Sequence, residues 1–258
     1  MPEGDVAWRT ARKLDEALSG RVLTRSDFRV PRYATADLTR RAVTETVSRG
    51  KHLLTRVEGD ITVHTHLKMD GSWRVSPSAG YPLRDHRIRL ILANEAWQAV
   101  GHLLGIVEVI RTSRENQAVG HLGPDLLGPD WDVGEAVRRL STDPDRTIGE
   151  ALLDQRNLAG IGTIYRAESL FLRGVDPWRK VGDVASLPEL LEMARRLLDA
   201  NKARVDTVTT GSNARGAELW VYGRAGRPCR RCGTLIRKAN LGPAIEERLA
   251  VWCPNCQK

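Results

Sequence analysis

Pro228-Cys229-Arg230-Arg231-Cys232-Gly233 and Trp252-Cys253-Pro254-Asn255-Cys256-Gln257 carry all four cysteines of the chain. Each C-x-x-C turn can aim two thiolates at one cation. Two such turns in one short segment predict a single tetrahedral, all-thiolate Zn(2+) site in a small β-ribbon. Twenty residues separate Cys232 from Cys253, so the ribbon needs a hairpin, expected to turn near Leu241-Gly242-Pro243. The segment is also basic. From Arg224 to Lys258 there are eight Lys or Arg against two Glu, a net +6. A zinc-clipped cationic hairpin suits a phosphate backbone. Pairing the same cysteines as disulfides would require an oxidising compartment and an export signal. The opening Met1-Pro2-Glu3-Gly4-Asp5-Val6-Ala7-Trp8 has neither a basic start nor an apolar run. A cytosolic protein is therefore expected.

Outside the ribbon, the chain of 258 residues has room for one large domain or two ordinary ones. It is 41% apolar, enough for a core, and no run approaches the roughly 20 uncharged apolar residues of a membrane span. The net charge of +8 favours a polyanionic partner. Nothing in the composition calls for an oligomer, and a monomer is expected.

Residues 5–20 read as a helix, with Ala7, Ala11, Leu14 and Leu18 on one face and Gly20 at the stop. From 21 to about 110 the period shortens. Lys51–Val57, Ile61–Leu67, Arg87–Leu92 and Trp97–Val100 read as strands, with turns at Glu58-Gly59-Asp60 and Asn94-Glu95. Short strands without intervening helices predict a sandwich or barrel. A Gly- and Pro-rich boundary follows at 120–130, and then the helical period returns. Thr147-Ile148-Gly149-Glu150 and Ser186-Leu187-Pro188-Glu189 read as capping boxes. After the second, Leu187, Leu190, Leu191, Ala194, Leu197 and Leu198 form one apolar face. The fold class is thus α+β. A leading helix and an N-terminal β-sandwich come first (1–120), then a helical domain (121–216), then the zinc ribbon (217–258).

Three features could carry chemistry. Removal of Met1 would make Pro2 the N-terminus, a secondary amine with a reference pKa of about 8 against about 10.4 for lysine. Such an amine can attack a carbonyl-like carbon and form an iminium, and Glu3 beside it could act as general acid or base. An ordinary solvated terminus would read the same way. Gly160-Ile161-Gly162-Thr163 opens a helix, where backbone N–H groups can hold an anion or simply make a tight turn. His64 and His66 share one face of a strand, as a metal pair or as ordinary histidines. No G-x-S-x-G, H-E-x-x-H or P-loop motif is present.

Taken together and in this order, these segments resemble the formamidopyrimidine-DNA glycosylase / endonuclease VIII family of base-excision repair enzymes. The resemblance spans essentially the whole chain. Met1-Pro2-Glu3-Gly4 is similar to the family start, with Gly4 leaning to the endonuclease VIII branch. Arg49-Gly50-Lys51-His52-Leu53-Leu54 resembles the strand with the essential lysine. His66-Leu67-Lys68-Met69-Asp70-Gly71-Ser72 resembles the hairpin with the intercalating side chain. Leu152 to Glu168 resembles the helix–two-turns–helix motif, and Arg248 the arginine of the zinc hairpin.

The resemblance implies a bifunctional DNA glycosylase and AP lyase with damaged DNA as partner. Pro2 would be the nucleophile, Glu3 the acid and Lys51 the phosphate ligand at the lesion. Met69 would be the wedge, with Lys68, Gly162, Thr163 and Arg248 on the DNA. Cys229, Cys232, Cys253 and Cys256 would bind zinc, and the location would be the bacterial cytosol and nucleoid. Oxidised pyrimidines are favoured over 8-oxoguanine by Met1-Pro2-Glu3-Gly4 and Gly123-Pro124-Asp125. Three positions depart from the pattern: Val6 replaces a usual Glu, Thr163 a usual Asn, and Lys68-Met69-Asp70 differs from the endonuclease VIII wedge. They leave room for a non-catalytic paralogue that binds abasic or distorted DNA. A zinc-ribbon RNA-binding protein is the unrelated alternative.

Overall fold

The structure is a computed structural model that describes residues 2–78, 84–243 and 247–258. Met1 and Glu246, which enter the readings above, lie outside the described residues. The chain forms two compact units, Met1–His121 and Leu122–Lys258, with the terminal ribbon inside the second.

The first unit opens with α1 (Gly4–Leu18) and continues with β1 (Arg21–Val22), β2 (Arg25–Phe28), β3 (Ala42–Arg49), β4 (His52–Val57) and β5 (Ile61–His66). Then come β6 (Ser72–Pro77), β7 (Ile88–Ala93), β8 (Trp97–His102), β9 (Ile106–Arg111) and the short α2 (Asn116–Val119). The strands make two sheets, in the orders β1-β3-β4-β5-β9 and β2-β7-β8-β6, with antiparallel pairing throughout. Odd-numbered Leu53, Val57, Val63 and Val107 of the first sheet, with Leu67 just after β5, share a core with Leu90, Leu92 and Ala99 of the second. Ala7, Ala11, Leu14 and Leu18 of α1 join that core, all at 3% exposure or less. The period-2 alternation turns the even-numbered residues of β4, β5 and β9 to the opposite face. Apart from Leu54, Ile106 and Ile110, that face is polar: Arg56 bridges Glu45 (2.6 Å) and Glu115 (2.8 Å), and Thr62 donates to Glu115 (2.6 Å).

The second unit contains α3 (Val133–Leu140), α4 (Ile148–Ala151), α5 (Thr163–Arg173), α6 (Leu187–Asn201), β10 (Arg237–Leu241) and β11 (Arg248–Trp252). Leu190, Leu191, Ala194, Leu197 and Leu198 of α6 are buried against α3 and α5, as the apolar face predicts. The ribbon has a core of its own with the far side of α5, built from Ala167, Phe171, Val221, Ile236, Val251, Cys229 and Cys253. No helix among the described residues is long and apolar enough to cross a membrane.

Both capping boxes differ from expectation. The Thr147 hydroxyl bonds the Glu150 carboxylate, so it does not cap a backbone N–H. The helix behind it stops at Ala151, because the Asn157 and Gln155 amides take the carbonyls of Ala151 (2.9 Å) and Leu153 (3.0 Å). Ser186 is the N-cap residue of α6 but makes no side-chain capping bond. Pro188 removes one of the N–H groups that would need it.

Candidate active site and nucleic-acid interface

In the first unit, Glu3 is the N-cap residue of α1 and is 1% exposed, with Pro2 half-buried ahead of it. The Glu3 carbonyl accepts from Ala7 N at 3.0 Å, which fixes the start of the helix. The helix therefore places the sharpest pair of the sequence at its positive end, where a carboxylate is favoured. Asp5, in the first turn, is also buried. Val6 packs partly on the hydrophobic core, so its side chain serves the fold at the position where a family carboxylate was expected.

Lys51 was expected on a strand. It lies instead in the two-residue turn Gly50-Lys51 between β3 and β4, closed by the Arg49–His52 pair. Gly50 has φ +57, the left-handed conformation that such hairpin turns require. Lys68 and Met69 sit in the turn after β5. Lys68 has φ +54 and its N–H donates to His66 Nδ1 at 2.9 Å. Gly71 N closes the turn on Leu67 O at 2.9 Å, and a Cβ on Gly71 would lie 2.3 Å from that oxygen. This tight turn leaves Met69 62% exposed. Met69 is thus among the few large apolar side chains that the described residues leave exposed. Asp70 shares an open cavity with Arg74, Arg87 and His102, so the acid in this loop has two guanidinium groups among its neighbours.

The second unit holds the other candidates. The four cysteine Sγ atoms lie within 4.8 Å of one another, with Cys229–Cys256 at 3.9 Å and Cys232–Cys253 at 3.5 Å. A tetrahedral zinc with Zn–S of about 2.3 Å sets its sulfurs about 3.8 Å apart, so the donor set fits the ion. The thiols also need a cation to ionise together. Burial and the neighbouring sulfurs push Cys253 and Cys256 up, while bonds from Thr234 and Asn255 bring Cys232 down to about 5.

Thr163 is the first residue of α5 and Gly162 its N-cap, with no side-chain capping bond. Gly160 has φ +101, a conformation open only to glycine without strain. Arg248 opens β11 opposite Leu241. It lines a cavity of about 250 Å³ with Arg146, Asp154, Arg156 and Arg166. Asp154 holds Arg146 at 2.9 Å and Arg156 at 2.8 Å, and these bonds keep its carboxyl well below the usual range.

Several positioning residues escaped sequence reasoning. Gln155 accepts from Gly160 N (3.1 Å) and donates to Ile161 O (3.1 Å), so it shapes the turn that opens α5. Arg166, 1% exposed, donates to Leu249 O (2.7 Å) beside Arg248. Glu168, fully buried, accepts from the N–H groups of Trp220 (2.8 Å), Val221 (2.9 Å) and Tyr222 (2.8 Å). Gln257 links Cys253 N (2.9 Å) to Val175 O (2.8 Å). One signal was available. Arg166 and Glu168 are about 200° apart around a helix, so both cannot share one solvent face.

Residues 1–101 match the formamidopyrimidine-DNA glycosylase N-terminal domain, and residues 122–206 match the formamidopyrimidine-DNA glycosylase H2TH domain. The chain belongs to the formamidopyrimidine-DNA glycosylase family. Among curated relatives, "Probable endonuclease 8 2" of Streptomyces coelicolor is 57% identical over all of this chain and 94% of that protein. "DNA-(apurinic or apyrimidinic site) lyase Nei2" of Mycolicibacterium smegmatis is 48% identical over all of this chain and 99% of that one. "Endonuclease 8" of Escherichia coli is 31% identical over the full length of both. A solved formamidopyrimidine-DNA glycosylase of Lactococcus lactis, bound to DNA containing an AP site, superposes with a TM-score of 0.84. At 23% identity over 99% of both chains, it shows that the family fold is shared.

Proposed function

We propose that this member of the family is a bifunctional DNA glycosylase and AP lyase of base-excision repair, acting on oxidised bases with pyrimidines favoured. The observation that carries this reading is the N-terminus of α1, where Pro2 precedes a Glu3 that is 1% exposed. The names of the relatives, endonuclease 8 and AP lyase, point the same way.

Once Met1 is removed, the neutral amine of Pro2 attacks C1′ of the flipped nucleotide. The bond from C1′ to the base breaks and the base leaves with a proton. Glu3 gives its proton to the ring oxygen as the sugar opens, leaving an iminium between Pro2 and C1′. The iminium acidifies C2′. Loss of that proton expels the 3′ phosphate, and a second elimination expels the 5′ phosphate. Water then hydrolyses the remaining adduct and restores the amine.

Lys51 at its turn tip holds the phosphate beside the lesion. Met69 fills the space left by the flipped base, with Lys68 next to it on the backbone. In the second unit, Gly162 and Thr163 at the start of α5 bind phosphate, as does Arg248 on the ribbon. Zn(2+) on Cys229, Cys232, Cys253 and Cys256 supplies folding energy to the ribbon and takes no part in the reaction. In this division of roles, residues 1–120 carry the chemistry, while 121–216 and 217–258 hold the DNA. The partner is damaged DNA and the protein works as a monomer in the bacterial cytosol.

The test is cleavage of three duplexes, each with one abasic site, one oxidised pyrimidine or one 8-oxoguanine. Strand scission leaving phosphate at both ends of the gap is expected, with the pyrimidine released faster than 8-oxoguanine. An abasic duplex that is bound but left intact would favour the non-catalytic paralogue. Tighter binding to structured RNA at the same salt would favour the RNA-binding alternative.

A further inference from the structure

We infer that Glu108, His64 and His52 form a relay that makes His52 Nε2 a proton-accepting phosphate ligand, so that DNA binding on this face takes up a proton. The inference rests on the reading of Lys51 and Lys68 as DNA ligands and adds to it a role for a histidine cluster that the reaction does not use.

The cluster follows from register. His52 pairs with His66 across β4 and β5, and His64 pairs with Glu108 across β5 and β9, all on the polar face of the first sheet. His64 Nδ1 lies 2.9 Å from a Glu108 carboxylate oxygen, and His64 Nε2 lies 2.8 Å from His52 Nδ1. These contacts fix the tautomers of the neutral rings. The carboxylate accepts, so His64 Nδ1 carries the proton and its Nε2 is a lone pair. His52 Nδ1 must then donate to that lone pair, which leaves His52 Nε2 unprotonated. No protein group among the described residues bonds His52 Nε2. His66 has the opposite tautomer, since its Nδ1 accepts from Lys68 N and its Nε2 carries the proton.

His52 is thus a base with a carboxylate behind it, ready to spread a positive charge along two imidazoles. The rest of its surroundings opposes that charge. Arg49 is its register partner on β3. His66 meets it edge-on at 4.7 Å between ring centroids, and His121 lies at 6.3 Å. Lys51 precedes it in the chain and Lys68 lies in the adjoining turn. Burial first, then His66, His64, His121 and Lys68, push His52 down to about 3. Burial, Lys68 and Lys51 push His66 down to about 4. In the free protein His52 and His66 are thus held neutral, between two lysines. A phosphate arriving there supplies the missing anion and offsets the repulsion, and the proton that His52 accepts becomes favourable.

The sign follows from linkage. A group whose pKa rises on binding adds affinity as pH falls through its bound-state pKa, and the gain saturates only below the free-state value of about 3. From pH 8 to 5.5 binding therefore tightens, by at most about tenfold per unit for one proton. The experiment uses the whole protein and a duplex carrying a tetrahydrofuran abasic analogue at constant ionic strength. Calorimetry in two buffers of different ionisation enthalpy gives the number of protons taken up. The wild type is expected to take up about one and His52→Gln close to none. Glu108→Gln is expected to move the pH dependence to lower pH. Nitrogen-15 spectra of labelled histidine should show His52 and His64 protonated at Nδ1 and His66 at Nε2. Binding without proton uptake, uptake undiminished in His52→Gln, or His52 protonated at Nε2 in the free protein would overturn the inference alone. Failure of the wild type to bind the duplex would overturn it together with the proposed function.

Discussion

Glu3→Gln is expected to slow release of a damaged base by about 10²–10⁴-fold, the usual contribution of a positioned general acid. Glutamine keeps the shape of the side chain and cannot give up a proton to the sugar oxygen. The helix behind it should survive, because the Glu3 side chain makes no capping bond and α1 is held by its buried apolar face. The loss should depend on the substrate. A preformed abasic site is partly open as an aldehyde, so Pro2 can reach C1′ without ring protonation. Single-turnover assays on a base lesion and on an abasic site separate the two. Equal rates for variant and wild type on both substrates would remove Glu3 from the mechanism.

Cys253→Ser is expected to take bound zinc from about one ion per chain to about none, since a structural zinc site requires all four ligands. Cys253 is fully buried in the core that joins the ribbon to α5, and its N–H is tied to Gln257. Losing the ion therefore unfastens β10 and β11 and with them Arg248. DNA binding should weaken, and its salt slope should fall by about one unit for each phosphate that the ribbon no longer neutralises. The first unit has a separate core and should keep its fold, which thermal unfolding followed by circular dichroism can check. Metal analysis giving unchanged zinc would end the four-thiolate assignment.

The legible parts of the sequence were those with a strict period or a spacing. α1 was visible because Ala7, Ala11, Leu14 and Leu18 all face one core. The ribbon was visible because two C-x-x-C turns admit few geometries. Of the nine strands among the described residues of the first unit, the four with strong apolar runs could be named individually. β3 could not, because Thr44, Glu45, Thr46 and Ser48 blur its alternation, and its place was settled by pairing with β4. The short α4 misled for a similar reason. Thr147 and Glu150 have capping spacing, yet they bond each other, and the Gln155 and Asn157 side chains end the helix. Lys51 was placed on a strand because G-K-H-L-L reads as continuous, whereas Gly50 turns the chain there. The histidine relay was half legible. His64 and His66 share a strand face by period, but His52 and Glu108 join them only through the register of β4, β5 and β9.

Borohydride trapping on a duplex with one abasic site tests the central claim most directly. It should compare the chain beginning at Pro2, confirmed by intact mass, with the same chain carrying one residue ahead of Pro2. An amide nitrogen cannot form an iminium, so a covalent adduct is expected with the first and none with the second. Adducts with both, or with neither, would contradict the assignment of Pro2 as the nucleophile.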